Sequence, residues 1–304
     1  MLSVLNLIRW KNLLLIALVQ LLIKYALLEP FGVAISLNGF GIFLLIFATI
    51  CIAAAGNIIN DIYDVETDFI NKPDKLIIGQ SISEKTAYNA FIILNMVGVG
   101  AGFYLSHWVG KSAFFSIFVI ISALLYVYAT YLKRQILIGN IIISILVALS
   151  ILIVGIFELL PALTIENRAI QLTFFKIILD YAFFAFLLNL LREIVKDLED
   201  INGDYKAGMN TLPIAIGRQR TTNILFVLSL IPLFLIVYYI VNSLYKNTVA
   251  VIYFIFLIVG PLILVSAKLF RAKSKKDYYF ISNLLKIVML LGVLSLLIYY
   301  FNMK

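Results

Sequence analysis

The chain has 304 residues, of which 63% are hydrophobic and only 13% are charged, and its formal net charge is +8. Soluble domains are about 45–50% apolar, so this composition excludes an ordinary soluble protein and indicates a membrane protein. With one cysteine, Cys51, the chain cannot form a disulfide framework or a thiolate metal site, and its one histidine, His107, leaves almost no material for zinc hydrolysis or a histidine-based triad.

Apolar runs long enough to cross a hydrocarbon core of about 30 Å recur along the whole sequence, with short polar breaks between them. We therefore expect an all-α, polytopic membrane protein that forms a single domain over residues 1–304. The first run is too long for a cleavable signal sequence, so it should remain in the mature protein. The nine predicted membrane helices cover residues 12–29, 39–60, 86–106, 112–132, 136–160, 172–194, 221–245, 248–270 and 278–301.

Basic residues are concentrated in the N-terminal segment and in the loops that follow the even-numbered helices. The opposite loops contain only Lys111, Arg168 and Lys246, and Lys304 lies at the C-terminal end. By the positive-inside rule, the N-terminus and the basic loops are cytoplasmic. An odd number of helices then places the C-terminus outside.

Two acidic motifs have the same spacing. The first follows helix two and reads Asn60-Asp61-x-x-Asp64-x-x-x-Asp68; the second follows helix six and reads Lys196-Asp197-x-x-Asp200-x-x-x-Asp204. Each lies in one of the two predicted loops that are long and rich in both signs of charge, 61–85 and 193–220. The shared D-x2-D-x3-D pattern at equivalent places indicates an internal repeat.

On a helix, residues three and four positions apart share a face, so the aspartates of each motif can point the same way. Asn57 and Asn60 extend the first face by one turn, and Glu193 and Lys196 extend the second. Clustered carboxylates repel one another, and acids near membrane depth are costly unless they are paired or bound to metal. We therefore expect a cation between the two faces.

Magnesium fits these residues because it takes carboxylate and amide oxygens and often bridges them to substrate phosphates. A calcium-binding EF-hand loop does not fit, since Phe69 stands where that loop requires glycine. Fully solvated acidic loops remain the structural alternative.

A diphosphate substrate would explain the cations predicted on the same side of the membrane. Arginine and lysine there can bind phosphate oxygens. Tyrosines ahead of them can donate hydroxyl hydrogen bonds and offer π faces to an allylic cation, although anchoring at the interface is an alternative role. These candidate residues are Lys72, Lys75, Lys133, Arg134, Arg192, Lys196, Tyr126, Tyr128 and Tyr131.

The predicted chemistry needs no protein nucleophile, because metal ions would stabilise the charge that grows on the departing diphosphate. A prenyl tail would lie among the helices, with the site open to the cytoplasm. The expected partners are a prenyl diphosphate donor, a lipid-like acceptor and membrane lipids, and no nucleic acid.

At these residues the chain resembles the UbiA superfamily of intramembrane prenyltransferases over nearly its whole length. The signature N-x3-D-x3-D of that family matches Asn60, Asp64 and Asp68, and its D-x3-D signature matches Asp200 and Asp204. The resemblance implies a nine-helix bundle with a central cavity and a lateral opening for the lipid tail. It also implies two magnesium ions on these five residues, with all six aspartates of the motifs in catalysis.

The sequence departs from the family pattern at two places. The family's Y-x3-K element is best matched by Tyr128 and Lys133, which are one residue further apart. Near the N-terminus, Arg9-Trp10-Lys11-Asn12 resembles the family's R-P-x-N with tryptophan in place of proline. Asn12 is still expected to face the cavity.

The acceptor is the open question within the family. The continuation 70–75, Ile-Asn-Lys-Pro-Asp-Lys, is similar to the branch that transfers geranylgeranyl to geranylgeranylglyceryl phosphate, and 1,4-dihydroxy-2-naphthoate is the alternative acceptor. A transporter is the alternative from another class. It predicts acids near the bilayer midplane, in helices broken by Gly or Pro, whereas the acidic motifs here lie at helix ends.

Overall fold

A computed structural model of the chain describes residues 2–302, except for the side chains of Lys75 and Asn302, so Lys304 lies outside it. Helices dominate the described residues, and their only β pairing is an isolated bridge between Ile78 and Ile82. The α-helices are α1 (Leu2–Leu7), α2 (Trp10–Leu22), α3 (Gly39–Tyr63), α4 (Val65–Asn71), α5 (Glu84–Trp108), α6 (Phe115–Thr130), α7 (Ile138–Leu159), α8 (Arg168–Lys206), α9 (Leu212–Ile216), α10 (Arg218–Tyr239), α11 (Thr248–Phe254), α12 (Gly260–Arg271), α13 (Lys275–Leu294) and α14 (Leu296–Asn302).

Within residues 2–302, nine helical stretches are long and apolar enough to cross a membrane, which confirms the all-α polytopic prediction. Eight of them begin and end within three residues of the predicted bounds. The stretches are Trp10–Phe31, Gly39–Tyr63, Glu84–Trp108, Ser112–Thr130, Ile138–Leu159, Arg168–Lys206, Arg218–Leu244, Thr248–Arg271 and Lys275–Phe301.

The sixth stretch differs, because α8 continues to Lys206 and the prediction of a loop beginning at residue 193 is wrong. Hydropathy falls there, but the residues still favour a helix. Lys196 Nζ lies 2.9 Å from Glu193 Oε2 one turn away, and Val195 and Leu198 remain fully buried. The apolar span therefore ends before the helix does, and the second acidic motif lies on helix.

The described chain consists of two compact units, and the prediction of a single domain over 1–304 stays a prediction. Unit 1 contains the residues up to Lys133 together with Leu149–Leu179. In unit 1, α3 packs closely on α5 and α6 through glycines. A Cβ on Gly98 would lie 2.8 Å from Ile52 Cγ1, and one on Gly56 would lie 2.9 Å from Leu125 Cδ1. Small residues let membrane helices approach in this way.

Unit 1 also contains a buried ion pair between Lys24 and Glu158, which are 134 residues apart in the sequence. Lys24 Nζ donates to Glu158 Oε1 at 2.9 Å and to the Leu37 carbonyl at 2.6 Å. The other carboxylate oxygen, Glu158 Oε2, accepts from the Leu37 amide at 2.9 Å. Both side chains are almost fully buried, so these hydrogen bonds offset the cost of placing charge in the apolar interior.

Unit 2 contains Arg134–Ala148 and the described residues from Asp180 onward. Its core joins α8, α10, α12 and α13 through apolar side chains. Polar contacts also tie these helices together: Ser229 Oγ lies 2.8 Å from Ser266 Oγ, and Thr222 Oγ1 lies 2.9 Å from the Tyr278 hydroxyl. Unit 2 holds α8 from Asp180 onward, the part of the helix that carries the second motif.

Candidate functional site

The first acidic motif lies where the helix breaks. α3 ends at Tyr63, α4 begins at Val65, and Asp64 between them has φ −100° and ψ 1°. Thr67 Oγ1 and the Asp68 amide both donate to the Asp64 carbonyl at 2.8 Å. The motif therefore lies on two helices that meet at its central aspartate, and the prediction that its three aspartates point together stays a prediction.

Two polar side chains bind Asp64. Asn60 Nδ2 donates to Asp64 Oδ2 at 2.6 Å, and Lys133 Nζ donates to Asp64 Oδ1 at 2.6 Å. Lys133 Nζ also lies 3.5 Å from Asn60 Oδ1, and its side chain is only 7% exposed. The predicted Tyr128 and Lys133 element thus brings at least its lysine to the predicted metal ligands, despite the extra residue in its spacing.

Arg9 is a contact of the motif that the predicted site residues did not include. Its Nη2 donates to Asp61 Oδ1 at 2.6 Å, and Asn57 Nδ2 donates to the carbonyl of the preceding residue, Ile8, at 3.0 Å. The Asp61 carboxylate raises the pKa of the Arg9 guanidinium above its ordinary value. The R-x-x-N pattern at residues 9–12 was the sequence signal for this residue.

Asp68 lies on α4, and its carboxyl responds to its neighbours. Burial, and then the negative charge of Asp64, raise the pKa of Asp68 from its ordinary value to about 6, although Lys72 acts in the opposite direction. Lys72 therefore lies close enough to Asp68 to favour its ionised form. A cation at this position would favour the ionised form of Asp68.

The other predicted residues of unit 1 lie at helix ends. Asn12 is in the first turn of α2, where its backbone N–H donates to the Arg9 carbonyl at 2.8 Å. Tyr128 is partly buried near the end of α6 and acts electrostatically on Arg9. Tyr126 and Tyr131 are 43% and 60% exposed, which fits anchoring at the interface better than a buried contact with substrate.

The second motif lies on the continuous helix α8 in unit 2. Asn140 Nδ2, on α7, donates to Asp197 Oδ2 at 2.9 Å. One turn before it, Glu193 binds both predicted cations: Oε1 accepts from Arg192 Nη1 at 3.0 Å and Oε2 accepts from Lys196 Nζ at 2.9 Å. Glu193 therefore holds the two cations beside the aspartate-bearing face.

The remaining predicted residues of unit 2 are placed differently. Asp204 is 8% exposed, and Asp200 is partly buried one turn earlier on α8. Arg134 is exposed, and its carbonyl accepts from the Asn210 amide at 2.9 Å. The structure thus ties Arg134 to the segment that follows α8 by its backbone.

The ligand chemistry of both motifs suits a hard cation. Asn60, Asp64 and Asp68 in unit 1, and Asp200 and Asp204 in unit 2, offer only oxygen ligands. Lys133 already places positive charge on the Asp64 and Asn60 oxygens. Within the described part of either unit, no three His, Cys, Asp or Glu side chains group closely enough to hold an ion alone. A bound ion would therefore complete its shell with amide oxygen, water and phosphate, as Mg²⁺ commonly does.

Comparison with known proteins identifies the family. The model of the UbiA prenyltransferase family matches residues 13–290, nearly the whole chain. The chain belongs to this family. It is therefore an integral membrane prenyltransferase, as its sequence predicted.

Several members of the UbiA family are similar to the chain along most of its length. The digeranylgeranylglyceryl phosphate synthase of Methanosphaera stadtmanae is 33% identical over 258 residues, which cover 83% of this chain and 86% of that protein. A solved structure from work on digeranylgeranylglyceryl phosphate synthase in membranes is 26% identical, with a TM-score of 0.64, and covers 99% of this chain and 98% of its own.

A more distant UbiA homologue shares the fold. The Archaeoglobus fulgidus protein, solved with DMAPP and Mg²⁺ bound, is 17% identical to this chain with a TM-score of 0.56. The similarity covers 97% of this chain and 99% of that one.

Proposed function

We propose that this UbiA-family protein transfers a geranylgeranyl group from geranylgeranyl diphosphate to geranylgeranylglyceryl phosphate. The observation that carries the acceptor is the 33% identity to a digeranylgeranylglyceryl phosphate synthase over more than four fifths of both chains. The reaction joins the glycerol hydroxyl oxygen of the acceptor to the allylic C1 of the donor. It breaks the bond between C1 and diphosphate and releases diphosphate and a proton.

The metal is magnesium, as two ions held by Asn60, Asp64 and Asp68 from one motif and by Asp200 and Asp204 from the other. When bound, the ions supply Lewis-acid stabilisation of the charge on the leaving diphosphate. The oxygen-only ligand set and the lysine already bound to Asp64 support this assignment. The bound Mg²⁺ of the distant homologue from Archaeoglobus fulgidus agrees with it.

The cations of the chain bind and orient the diphosphate. Lys133 is the first of these, because an ion on Asp64 would free its ammonium group to bind a phosphate oxygen nearby. Arg192 and Lys196 act beside the second motif, where Glu193 fixes both of their positions. Lys72 and Arg134 add positive charge near each motif, and the Tyr128 hydroxyl donates to a phosphate oxygen.

The first aspartates of the motifs and the nearby amides have supporting roles in the same reaction. Asp61 and Asp197 act in catalysis through the arrangement of the motifs, and Asn12 and Asn57 line the substrate side of α2 and α3. A single domain carries the whole reaction.

The reaction takes place at the cytoplasmic side, with the N-terminus inside and the C-terminus outside. The bias of Lys and Arg toward alternate loops supports this orientation. Cysteine substitutions at exposed Lys11 and Lys246 test it, because a membrane-impermeant thiol reagent added to intact cells should label only Lys246→Cys. Labelling of Lys11→Cys instead would reverse the orientation.

A transfer assay tests the function. Purified protein in detergent receives radiolabelled geranylgeranyl diphosphate, Mg²⁺, and either geranylgeranylglyceryl phosphate or 1,4-dihydroxy-2-naphthoate. We expect labelled product only with the first acceptor, only with Mg²⁺, and not from the Asp64→Ala control. Product only with the naphthoate would replace the acceptor, and product with neither, from protein that binds the diphosphate, would refute both proposed acceptors.

A further inference from the structure

The two motifs share a feature that their spacing alone does not show. In each one, the first aspartate is hydrogen-bonded to a residue outside the motif. Asp61 Oδ1 accepts from Arg9 Nη2 at 2.6 Å, and Asp197 Oδ2 accepts from Asn140 Nδ2 at 2.9 Å. The partner precedes α2 in the first case and lies on α7 in the second.

We propose that Asp61 and Asp197 are anchors rather than metal ligands, and that Arg9 and Asn140 are positioning residues that set the ligands one turn further along. The inference rests on the proposed metal assignment and deepens it. It divides the six aspartates into two anchors and four ligands, with Asn60 as the fifth ligand.

The contact between Arg9 and Asp61 is a charge-assisted hydrogen bond, which is stronger than a neutral one. The side chains of Arg9 and Asp61 are 37% and 17% exposed, so moving Asp61 onto a metal would break their 2.6 Å hydrogen bond and leave the guanidinium without its main counter-charge. Asp64 differs, because its own bound cation, Lys133, belongs to the residues that bind diphosphate. When a metal replaces Lys133 at Asp64, the ammonium group of Lys133 gains a phosphate oxygen as its new partner.

The backbone supports the same role for Arg9. Its φ of 54° and ψ of 50° are left-handed, which is costly for a residue with a side chain and persists only where the surroundings hold it. Two contacts hold it here: Arg9 with Asp61, and the Ile8 carbonyl with Asn57 Nδ2. The neighbouring Leu7 is buried against α3 residues such as Ile58 and Ile59. The N-terminal segment is thereby fixed on the last turns of α3, directly before Asp64.

Asn140 is fixed in a comparable way. Ser144 Oγ donates to the Asn140 carbonyl at 2.6 Å and accepts from Asn189 Nδ2 at 3.2 Å. Ser144 is fully buried and Asn189 is 4% exposed. These contacts join α7 to α8 one to two turns from the contact between Asn140 and Asp197. They therefore fix the position of Asn140 along α8, one turn before Asp200.

The two roles predict different responses to magnesium. Loss of a ligand should abolish binding, whereas loss of an anchor should move the ligands and weaken binding by about tenfold, as other supporting contacts of metal ligands do. Lysine in place of Arg9 keeps the charge and should restore most of the affinity.

The test measures how Mg²⁺ with inorganic diphosphate raises the melting temperature of the full-length protein in detergent. We expect Arg9→Met, Asp61→Asn and Asn140→Leu to raise the half-saturating Mg²⁺ concentration about tenfold and to reach the wild-type plateau. Arg9→Lys should lie near wild type, and Asp64→Asn should give no shift. Lys11→Met, which removes an exposed cation over the Trp10 ring, is the matched control and should leave the titration unchanged.

Two outcomes would overturn the proposal. If Asp61→Asn abolishes the shift as Asp64→Asn does, Asp61 is a ligand; if Arg9→Met titrates like wild type, Arg9 positions nothing. Should Arg9→Met fail to fold, the exchange of charges in Arg9→Asp with Asp61→Arg takes its place, with the same expected plateau. The measurement contains no prenyl acceptor, so a wrong acceptor leaves it unaffected.

Discussion

The two acidic motifs have the same spacing, but their backbones and partners differ. The first lies across the break between α3 and α4, and its aspartates bind cations from distant segments, Arg9 and Lys133. The second lies within the uninterrupted helix α8, where the nearby cations are held by Glu193 and the first aspartate binds the neutral Asn140. One sequence pattern thus supports two local structures, and its first aspartate binds a charged partner in one motif and a neutral partner in the other.

This difference matters for charge balance. The aspartates of the first motif already bind Arg9 and Lys133, and a metal must displace at least one of these cations. Removing either cation should therefore lower the stability of the metal-free protein more than that of the metal-bound protein. In the second motif Glu193, and not an aspartate of the motif, accepts from Lys196, so loss of that lysine should matter less. Each prediction below compares the two motifs.

The largest expected effect is loss of turnover when a ligand is removed from either motif. Asp64→Ala and Asp200→Ala should each lower turnover by about 10³-fold or more, because each removes part of the electrostatic stabilisation of the leaving group. The labelled transfer assay measures turnover, and size-exclusion elution checks the fold. Retained activity in both variants would refute the metal assignment.

The next effect is on stability without metal. Lys133→Met should cost about 3 kcal/mol, because it leaves the partly buried Asp64 carboxylate without its cation. Lys196→Met is the matched control in the second motif and should cost less than about 1 kcal/mol, since that lysine is 30% exposed. Melting curves without and with Mg²⁺ and diphosphate should show the larger recovery for Lys133→Met. Equal losses in the two variants would contradict the difference in charge balance.

Asp68 should give the first motif a pH dependence that its replacement by asparagine removes. The pKa of Asp68 in the folded, metal-free protein is raised to about 6, above its ordinary value, so folding favours the protonated form. This contribution to stability is present at low pH and is lost as the pH rises through about 6. Between pH 5 and 7 the melting temperature of the metal-free protein should therefore fall, more steeply than in Asp68→Asn.

Magnesium should reverse that preference, because a ligand carboxylate must be ionised. Mg²⁺ affinity is then expected to fall as the pH drops below about 6. A magnesium titration at pH 5.5 and 7.5 checks this, and an unchanged half-saturating concentration would remove Asp68 from the ligand set.

The smallest expected effect concerns Tyr128. Tyr128→Phe should lower turnover by less than about tenfold if its hydroxyl donates one hydrogen bond to the diphosphate. Tyr131→Phe is the control, because that ring is 60% exposed. Equal rates for both variants and wild type would show that Tyr128 anchors the helix at the interface and does not bind diphosphate.

Features that depend on local sequence could be predicted, and features that depend on distant pairs could not. Hydropathy predicted eight of the nine spans closely, and spacing predicted the two motifs. The break at Asp64 and the extension of α8 to Lys206 depend on backbone hydrogen bonds and packing that hydropathy does not report. Arg9 and Asp61 are 52 residues apart, and Asn140 and Asp197 are 57 apart, so no local pattern joins them.

The buried pair of Lys24 and Glu158 has a consequence for how the chain is made. The two residues are 134 positions apart, so Lys24 enters the membrane long before its partner has been synthesised. A lysine at the centre of a membrane helix costs about 2.5–3.5 kcal/mol on insertion scales. Within the first helical stretch Glu29 Oε1 lies 3.6 Å from Lys24 Nζ, but that carboxylate is 43% exposed, so the buried partner of Lys24 arrives only with the fifth helix. The first helix can therefore reach its final packing only after those 134 residues have been translated.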